Sequence, residues 1–269
     1  MDLQLQGQTA VIAGGARGIG LAIARGFARE GADVALLDRA AEVAQVARDL
    51  SQETGVHTAG LAADVVHHAA LREAADHVRK TFGRIDHLVY AVAIGSGKFG
   101  FPFWNLEPGD WQRVLEVNVV GAVNFVHAFT PALAEARSGT VLLIASVAGQ
   151  IGSQTDPPYS ASKAALINFA QCAAKDLAPY NVRVNSLCPG MVKTALNQSI
   201  WEAWNRQQPP DKRQPFEEWA MDKIRRVVPL GRWQEPEDMA AMAVFLASPR
   251  GKNITGQTVN VDGGFVMHW

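Results

Sequence analysis

The feature that most constrains the fold is an alternation, along the whole chain, between short apolar runs and longer amphipathic stretches. The runs are rich in Val, Ile and Leu and are mostly bounded by turn residues, which is typical of strands buried on both faces. The predicted strands are Thr9–Ala13, Asp33–Leu37, His87–Val92, Thr140–Ala145, Val182–Leu187 and Thr258–Val261, with His57–Ala62 as a weaker seventh candidate.

Helical patterns lie between the predicted strands. Gly18–Glu30 places Ile19, Ile23 and Phe27 four residues apart, on one helical face. The other predicted helices are Trp111–Phe129, Ser160–Ala178 and Glu237–Ala247. Strands that alternate with helices predict an α/β fold, a doubly wound parallel sheet with helices on both faces. We see no linker, so we expect a single domain over residues 1–269.

One stretch, residues 191–233, departs from this alternation. It shows no strand pattern and contains Trp201, Trp204 and Trp219 together with several prolines. We interpret it as an insertion with short helices. It follows the carboxyl end of a predicted strand, where ligands bind in such sheets, and this favours a lid over the substrate. A packed surface excursion without a substrate role is the alternative.

Composition and charge exclude several classes of protein. Hydrophobic residues make up 48% of the 269, which excludes disorder and a collagen-like chain. Lys and Arg number 25 and Asp and Glu 26, a net charge of −1, which gives no electrostatic reason to bind nucleic acid or an anionic membrane. The two Cys form no CxxC pair, and no metal-ligand spacing occurs among the scattered His residues, which we expect to be exposed. With no signal peptide and no continuous apolar span, we expect a cytoplasmic protein.

A glycine-rich turn joins the first predicted strand to the first predicted helix. It reads Gly14-Gly15-Ala16-Arg17-Gly18-Ile19-Gly20. Glycine allows a tight turn and a close backbone approach to a pyrophosphate, and the following helix N-terminus offers free N–H groups. Such a turn is a weak signal alone, but the strand–turn–helix context indicates a dinucleotide site.

Acidic residues follow the second and third predicted strands. Asp38 stands where a carboxylate can accept hydrogen bonds from both ribose hydroxyls and repel a 2′-phosphate, which favours NAD over NADP. Arg17 and Arg39 instead favour NADP, because either guanidinium group can pair with the 2′-phosphate. Asp64, followed by Val65, suits the adenine amino group or, equally well, a helix N-cap.

The strongest chemical signal is the pair Tyr159 and Lys163. At a spacing of four residues they share one helical face, and a nearby ammonium group lowers the pKa of a phenol. Ser146 ends the preceding strand and can hydrogen-bond the reacting oxygen. Asn118, a polar residue among apolar neighbours, indicates a bound water or a backbone partner.

At these residues the chain resembles the short-chain dehydrogenase/reductase family over nearly its whole length. The motifs that carry the resemblance are Gly14-x3-Gly18-Ile19-Gly20, Asn118, Ser146, Tyr159-x3-Lys163, Arg183-Val184-Asn185-x3-Pro189-Gly190, Ile254-Thr255-Gly256-Gln257 and Val261-Asp262-Gly263-Gly264. The resemblance implies a Rossmann-type sheet of seven strands and a homotetramer.

The resemblance also implies roles for single residues. Tyr159 would be the acid/base, Ser146 would orient the substrate oxygen, Lys163 would hold the nicotinamide ribose and Asn118 a proton-relay water. The residues expected to bind the cofactor are Gly14, Arg17, Gly18, Ile19, Asp38, Arg39, Asp64, Val65, Ala91, Ala93, Tyr159, Lys163, Pro189, Gly190, Val192 and Thr194. Two departures stand out: Ala13 replaces the Thr common before the first glycine, and Tyr90-Ala91-Val92-Ala93 replaces Asn-Asn-Ala-Gly, so backbone contacts must serve at Ala91.

The substrate is much less constrained. Candidate contacts are Ser96, Lys98, Phe99, Ser146, Gln154, Tyr159, Met191, Leu196 and Trp201. The polar members suit a sugar or polyol, whereas the apolar members suit a cyclic or aromatic ketone. The apolar tail Phe265–Trp269 can dock on a neighbouring subunit.

The expected function is NAD-dependent hydride transfer between a secondary alcohol (a sugar, polyol or cyclic alcohol) and its ketone or lactone. A 3-oxoacyl-thioester reductase would use the same four residues, although Asp38 disfavours NADP. A sugar epimerase or dehydratase also uses Tyr and Lys, but in longer chains. A non-catalytic dinucleotide sensor is the alternative of a different class. Such a sensor needs no proton relay, so the presence of these four residues disfavours it.

Overall fold

The computed structural model describes residues 2–98, 100, 102–152 and 155–268, without the side chain of Leu196. Within these residues, parallel strands form a seven-stranded sheet in the order β3-β2-β1-β4-β5-β6-β7. The strands are β1 (Thr9–Ala13), β2 (Asp33–Asp38), β3 (Thr58–Ala62), β4 (His87–Tyr90), β5 (Gly139–Ile144), β6 (Val182–Pro189) and β7 (Thr258–Val261). The chain winds outward from β1 in one direction and from β4 in the other, which confirms the doubly wound prediction, weak seventh strand included.

Helices cover both faces of the sheet. They are α1 (Gly18–Arg29), α2 (Val43–Thr54), α3 (His68–Phe82), α4 (Gly109–Leu115), α5 (Gly121–Ala136), α6 (Pro157–Leu177), α7 (Ala195–Arg206), α8 (Phe216–Val227) and α9 (Pro236–Ala247). One apolar core contains residues of α3, α5 and α6, and a second contains residues of α1, α2 and α9. Because both faces are covered, the strands need no polar alternation.

The predicted helix Trp111–Phe129 is longer and less regular than expected. Residues 109–136 form one continuous helix, in which a π-helical turn, Glu116–Val120, separates α4 from α5. Within the described part of the chain, this is the one helix whose length and hydropathy would suit a membrane span. Its Phe125, Phe129 and Leu133 are nevertheless fully buried in the core beside the sheet.

The region 191–233 has the expected helical character. It contains α7 and α8, and its strand-like pairing within the described residues is a single bridge from Val192 to Gln234. The rings of Trp201, Trp219 and Trp233 each pack against the ring of Phe216, with centroids 5.7 to 6.2 Å apart. This aromatic cluster holds the two helices together.

One expectation about the surface is corrected by the structure. His87 is only 3% exposed, because its ring packs on Phe27 and hydrogen-bonds Thr140 and Gln8. The tail contacts its own chain as far as residue 268, and its docking on a neighbouring subunit stays a prediction. Asn260 Nδ2 donates to the carbonyl of Val266, and His268 Nε2 lies 2.8 Å from Gln150 Oε1. Trp269 lies outside the described residues.

The strand register brings the chemically interesting residues to one edge. Ala13, at the end of β1, pairs with Leu37 on one side and Tyr90 on the other. Ile144, at the end of β5, pairs with Leu187 of β6. Since all strands are parallel, their carboxyl ends share this edge, and the loops that follow them surround a common cavity.

Candidate active site

A cavity of about 510 Å³ runs along the carboxyl edge of the sheet. One end lies at Asp38 and Arg39, after β2, and the other contains Tyr159, Lys163 and the start of α7. All sixteen residues expected to bind the cofactor line it: Gly14, Arg17, Gly18, Ile19, Asp38, Arg39, Asp64, Val65, Ala91, Ala93, Tyr159, Lys163, Pro189, Gly190, Val192 and Thr194. The structure therefore brings together residues that are up to 180 positions apart.

The glycine-rich turn has the shape that a pyrophosphate needs. Gly14 has φ +79°, and a Cβ there would lie 2.9 Å from the backbone carbon of Ala91. At Gly18, φ is +57° and a Cβ would meet nothing within 4 Å, so the cradle is open on that side. Helix α1 begins at Gly18, and its first N–H groups have no partners within the helix. This turn fits a dinucleotide phosphate.

Asp38 is held in place by the backbone around it. Its Oδ2 accepts a hydrogen bond from the N–H of Ala16, at 3.2 Å, and its Oδ1 accepts one from Ala40, at 3.1 Å. The carboxylate is thus tied to the glycine-rich turn and still lines the cavity. A fixed carboxylate at this end fits the two hydroxyls of an adenosine ribose.

Asp64 also lines the cavity, and it does not cap a helix. Helix α3 begins at His68 with His67 as its N-cap, whereas Asp64 Oδ1 accepts from the N–H of Val66 at 3.2 Å. The N-cap alternative for Asp64 is therefore wrong. Arg113, from α4, approaches its Oδ2 to 3.8 Å across the cavity wall.

The other end of the cavity brings Ser146, Tyr159 and Lys163 together. Lys163 is 1% exposed, its Nζ donates to the carbonyl of Ile144 at 2.7 Å, and it lies 5.5 Å from the Tyr159 ring centroid. The hydroxyl of Ser146 hydrogen-bonds Tyr159 and also accepts from the N–H of Ala148 at 3.1 Å. Ser146 is therefore both a cap of the short 3-10 turn Val147–Gly149 and a neighbour of the phenol.

The protonation of the Tyr–Lys pair is governed by burial. Burial raises the pKa of Tyr159 to about 12, although the Ser146 hydrogen bond opposes this, and burial lowers the pKa of Lys163 to about 7. The direction for Tyr159 is opposite to the expected one, because desolvation of the phenolate outweighs the Ser146 hydrogen bond. The chain's own groups thus leave Tyr159 a neutral phenol at pH 7.

Asn118 is buried in the π-helical turn and its side chain has protein partners. Its Oδ1 accepts from the N–H of Ile94 at 2.9 Å, and its Nδ2 donates to the Ile94 carbonyl and to Ser162 Oγ, both at 2.9 Å. Of the two expected partners, water or backbone, the side chain uses the backbone. It holds the loop after β4 against α6.

Tyr90 occupies the first position of the segment that departs from the family pattern. It is fully buried, and its hydroxyl donates to the carbonyl of Val117 at 2.6 Å. Burial raises its pKa, so it is a neutral hydrogen-bond donor. The phenol links β4 to the π-helical turn that carries Asn118, a structural link made here without the Asn-Asn pair.

Of the six described side chains proposed to contact the substrate, four lie away from the cavity. Ser146 and Tyr159 line the cavity. Ser96, Lys98, Met191 and Trp201 do not: Lys98 forms an ion pair with Asp110, and Trp201 Nε1 donates to the carbonyl of Gln214 inside the aromatic cluster. Met191 packs on Ile224 and Val228. Phe99 and Gln154 lie outside the described residues, as does the side chain of Leu196.

Other cavity residues were missed by the sequence reasoning. Gly95 and Arg113 line the cavity, as does Ser199 in α7. Ser199 follows Thr194 closely enough that helical spacing could have suggested it. Arg113 carried no such signal, since only the packing of α4 beside the third strand's loop places it there.

Comparison with known proteins identifies the family. A family model described as enoyl-(acyl carrier protein) reductase matches residues 14–266. D-threitol dehydrogenase of Mycolicibacterium smegmatis is 32% identical over 99% of this chain and 95% of its own length. A 3-oxoacyl-(acyl-carrier-protein) reductase of Aquifex aeolicus is 31% identical over 98% of this chain and 99% of its own. The chain belongs to the short-chain dehydrogenase/reductase family and is an oxidoreductase.

Solved structures agree with the fold. L-sorbose reductase from Gluconobacter frateurii, solved with NADPH and L-sorbose, has a TM-score of 0.90 at 30% identity, and the match covers 100% of both chains. A xylitol dehydrogenase bound to NAD⁺ has a TM-score of 0.89 at 29% identity, over 97% of this chain and 100% of that one. The two similar proteins thus carry different dinucleotides.

Proposed function

We propose that this protein is an NAD-dependent dehydrogenase that interconverts a secondary alcohol of a sugar or polyol and the corresponding ketone or lactone. The observation that carries the proposal is the grouping of Ser146, Tyr159 and Lys163 at one end of a cavity whose other end has a fixed carboxylate. Threitol, sorbose and xylitol, named for similar proteins, are all polyols or ketoses, and this favours the sugar class.

The proposed chemistry needs a proton acceptor beside a hydride acceptor, and a bound nicotinamide supplies the latter. In alcohol oxidation, Tyr159 first releases its own proton to solvent, and the resulting phenolate takes the hydroxyl proton of the substrate while the carbinol hydrogen leaves as hydride. Reduction reverses these transfers, with the neutral phenol as the proton donor. Ser146 orients the substrate oxygen, and Lys163 stabilises the phenolate that accepts the proton. Asn118 keeps Ile94 and the cavity wall in place. Acid/base help of this kind contributes about 10² to 10⁴ in rate.

The preference for NAD rests on Asp38. Its carboxylate would accept hydrogen bonds from the ribose hydroxyls and repel a 2′-phosphate. Arg17 and Arg39 line the same end of the cavity and are the groups that would pair with that phosphate. The NADPH complex of L-sorbose reductase keeps NADP as the competing candidate.

A 3-oxoacyl-thioester reductase is the second candidate, favoured by the relative from Aquifex aeolicus. A non-catalytic dinucleotide sensor is the candidate of a different class. Neither candidate predicts oxidation of free polyols, so that activity separates them from the proposal.

The deciding experiment is a panel of C4 to C6 polyols, ketoses and cyclic alcohols, assayed in both directions with NAD and with NADP. A 3-oxoacyl thioester is included as the rival substrate. We expect turnover of at least one polyol, with a higher kcat/KM for NAD. Turnover of the thioester alone would establish the second candidate, and dinucleotide binding without any turnover would establish the sensor.

The assembly and location follow the same proposal. We propose a homotetramer, as the family resemblance implies, and a cytoplasmic location. The mass in solution, measured by light scattering during size-exclusion chromatography, checks the assembly, and a monomeric mass would contradict it.

A further inference from the structure

A buried carboxylate near the cavity has no part in the mechanism above. Asp156 is 6% exposed and directly precedes α6, the helix that carries Tyr159 three residues later. Its Oδ2 accepts a hydrogen bond of 2.8 Å from the backbone N–H of Ser96. Its Oδ1 has no hydrogen-bond partner among the described residues. A buried carboxylate that is only partly satisfied costs stability, so its presence needs an explanation.

The explanation lies in the loop that Asp156 contacts. Ala93, Ile94 and Gly95 line the cavity together with Tyr159. We call residues 93–98 the wall loop. Asn118 binds both backbone polar groups of Ile94, and Asp156 binds the N–H of Ser96, two residues further along the loop. The wall loop is thus anchored at two points, and the second anchor is on the helix of Tyr159.

Gly95 shows how closely the two parts approach. A Cβ at this position would lie 2.6 Å from Asp156 Oδ2, so any side chain here would push the carboxylate and the loop apart. The contact therefore requires a glycine in the cavity wall and a carboxylate directly behind it.

We propose that Asp156 is a positioning residue that docks the wall loop onto the N-terminal end of α6 and so fixes the cavity wall beside Tyr159. It acts through the backbone of Ser96 and does not line the cavity itself. This role rests on the proposed dehydrogenase function for its kinetic consequence, whereas the docking can be measured without any substrate.

The charge of Asp156 gives the proposal a second consequence. Burial raises its pKa, and the N–H groups of Ser96 and Tyr159 oppose that rise. Asp110 of α4, itself paired with Lys98 of the wall loop, faces it as a like charge. Three charged or titratable groups lie around Tyr159: Cys188 of β6, Lys163 of α6 and Asp156. The charge of Asp156 raises the pKa of the phenol. Removing this charge lowers the pKa of Tyr159.

The test compares three variants with the wild-type protein. Asp156→Asn keeps an oxygen that can accept from Ser96 but removes the charge, and Asp156→Ala removes both. Gly95→Ala disturbs the same contact from the loop side and leaves Asp156 intact. Asp211→Asn, in the exposed turn between α7 and α8, is the control. Thermal unfolding of each variant verifies that it is folded.

The first readout is hydrogen–deuterium exchange of the protein without substrate. Asp156→Ala and Gly95→Ala are expected to speed exchange in residues 93–98 by at least tenfold, while Asp156→Asn and Asp211→Asn change it little. If Asp156 serves only as a helix cap, Asp156→Ala would instead speed exchange at the start of α6 and leave the wall loop unchanged. That result, or a wild-type rate in both Asp156→Ala and Gly95→Ala, overturns the proposal.

The second readout is kinetic and uses whichever alcohol the panel identifies. Asp156→Ala and Gly95→Ala are expected to raise KM more than they lower kcat, since the wall is displaced and Tyr159 is retained. Asp156→Asn is expected to leave KM unchanged. The limb of the kcat profile that rises with pH is expected to move to lower pH by about half a pH unit to one unit. An unshifted profile contradicts the charge effect. If the wild-type protein oxidises no alcohol, the proposed function fails, and the exchange data still decide the docking.

Discussion

The two ends of the cavity are built differently. At the dinucleotide end, the glycine-rich turn and Asp38 directly follow strands β1 and β2, and two backbone N–H groups fix the carboxylate. At the substrate end, the wall comes from the loop after β4, from Ala145 and Ser146 after β5, and from the first turns of α7. The first end depends on where strands stop, and the second depends on how distant segments pack. The following predictions use that contrast, beginning with the largest effect.

Replacement of Tyr159 by Phe would separate chemistry from cofactor binding. We expect kcat to fall by about 10² to 10⁴, because the proton acceptor is lost, while the dinucleotide dissociation constant changes little. Steady-state kinetics and fluorescence titration measure the two quantities. Tyr180→Phe, at a half-exposed tyrosine beyond α6, is the matched control. Near-normal turnover in the Tyr159 variant would remove this residue from the mechanism.

Replacement of Asp38 by Asn would affect only the dinucleotide end. Loss of a charged hydrogen-bond acceptor costs about 1.5 to 3 kcal/mol, which corresponds to a rise of about 10- to 100-fold in KM for NAD. The KM for NADP should fall or stay constant, and the KM for the alcohol should stay constant. Asp33→Asn, at the opposite end of β2, is the control. An unchanged ratio of NAD to NADP efficiency would contradict the role given to Asp38.

Replacement of Tyr90 by Phe would remove the hydrogen bond that joins β4 to the π-helical turn. The variant leaves the buried carbonyl of Val117 without its donor, at a cost of about 1 to 3 kcal/mol in the free energy of unfolding. Urea denaturation measures this cost. Because Val117 precedes Asn118 in the π-helical turn, we also expect faster amide exchange in residues 93–98. Wild-type stability and exchange would show that the phenol hydroxyl contributes nothing.

The opposite edge of the sheet provides a reference far from the chemistry. Burial lowers the pKa of His87 to about 4, so between pH 6.5 and 4 the unfolded chain binds a proton that the folded protein does not. Stability is therefore complete above pH 6.5 and is lost as the pH falls, by at most about 1.4 kcal/mol per pH unit. Urea unfolding at pH 7, 6 and 5 measures this slope. His87→Asn should reduce it, and exposed His77→Asn should not; equal slopes would refute the assignment.

The sequence predicted the sheet and the dinucleotide end well, for a physical reason. Apolar runs such as Val182–Leu187 can only be satisfied as buried strands, and parallel strands bring the residues at their carboxyl ends to one edge. Gly14, Asp38 and Ser146 stand directly at strand ends, so their shared location followed from the order of elements. Lys163 followed from its helical spacing to Tyr159.

The substrate end could not be predicted in the same way. Trp201 and Met191 were expected to contact the substrate. Instead, Trp201 packs in the aromatic cluster and Met191 packs against Ile224. Lys98 forms an ion pair with Asp110, twelve residues away in the sequence. A side chain in a loop or lid has several possible partners of similar chemistry, and local sequence does not choose among them.

The sequence by itself determined the class of fold, the family and the residues proposed for catalysis, because these depend on short-range patterns and on strand order. The tertiary structure decided the environment of those residues. Burial of Tyr159 raises its pKa where the nearby lysine suggested a fall, and Asn118 binds the backbone of Ile94. The contact between Asp156 and Ser96 joins segments 60 residues apart. Desolvation and long-range hydrogen bonds depend on what surrounds a group in space, so only the folded chain shows them.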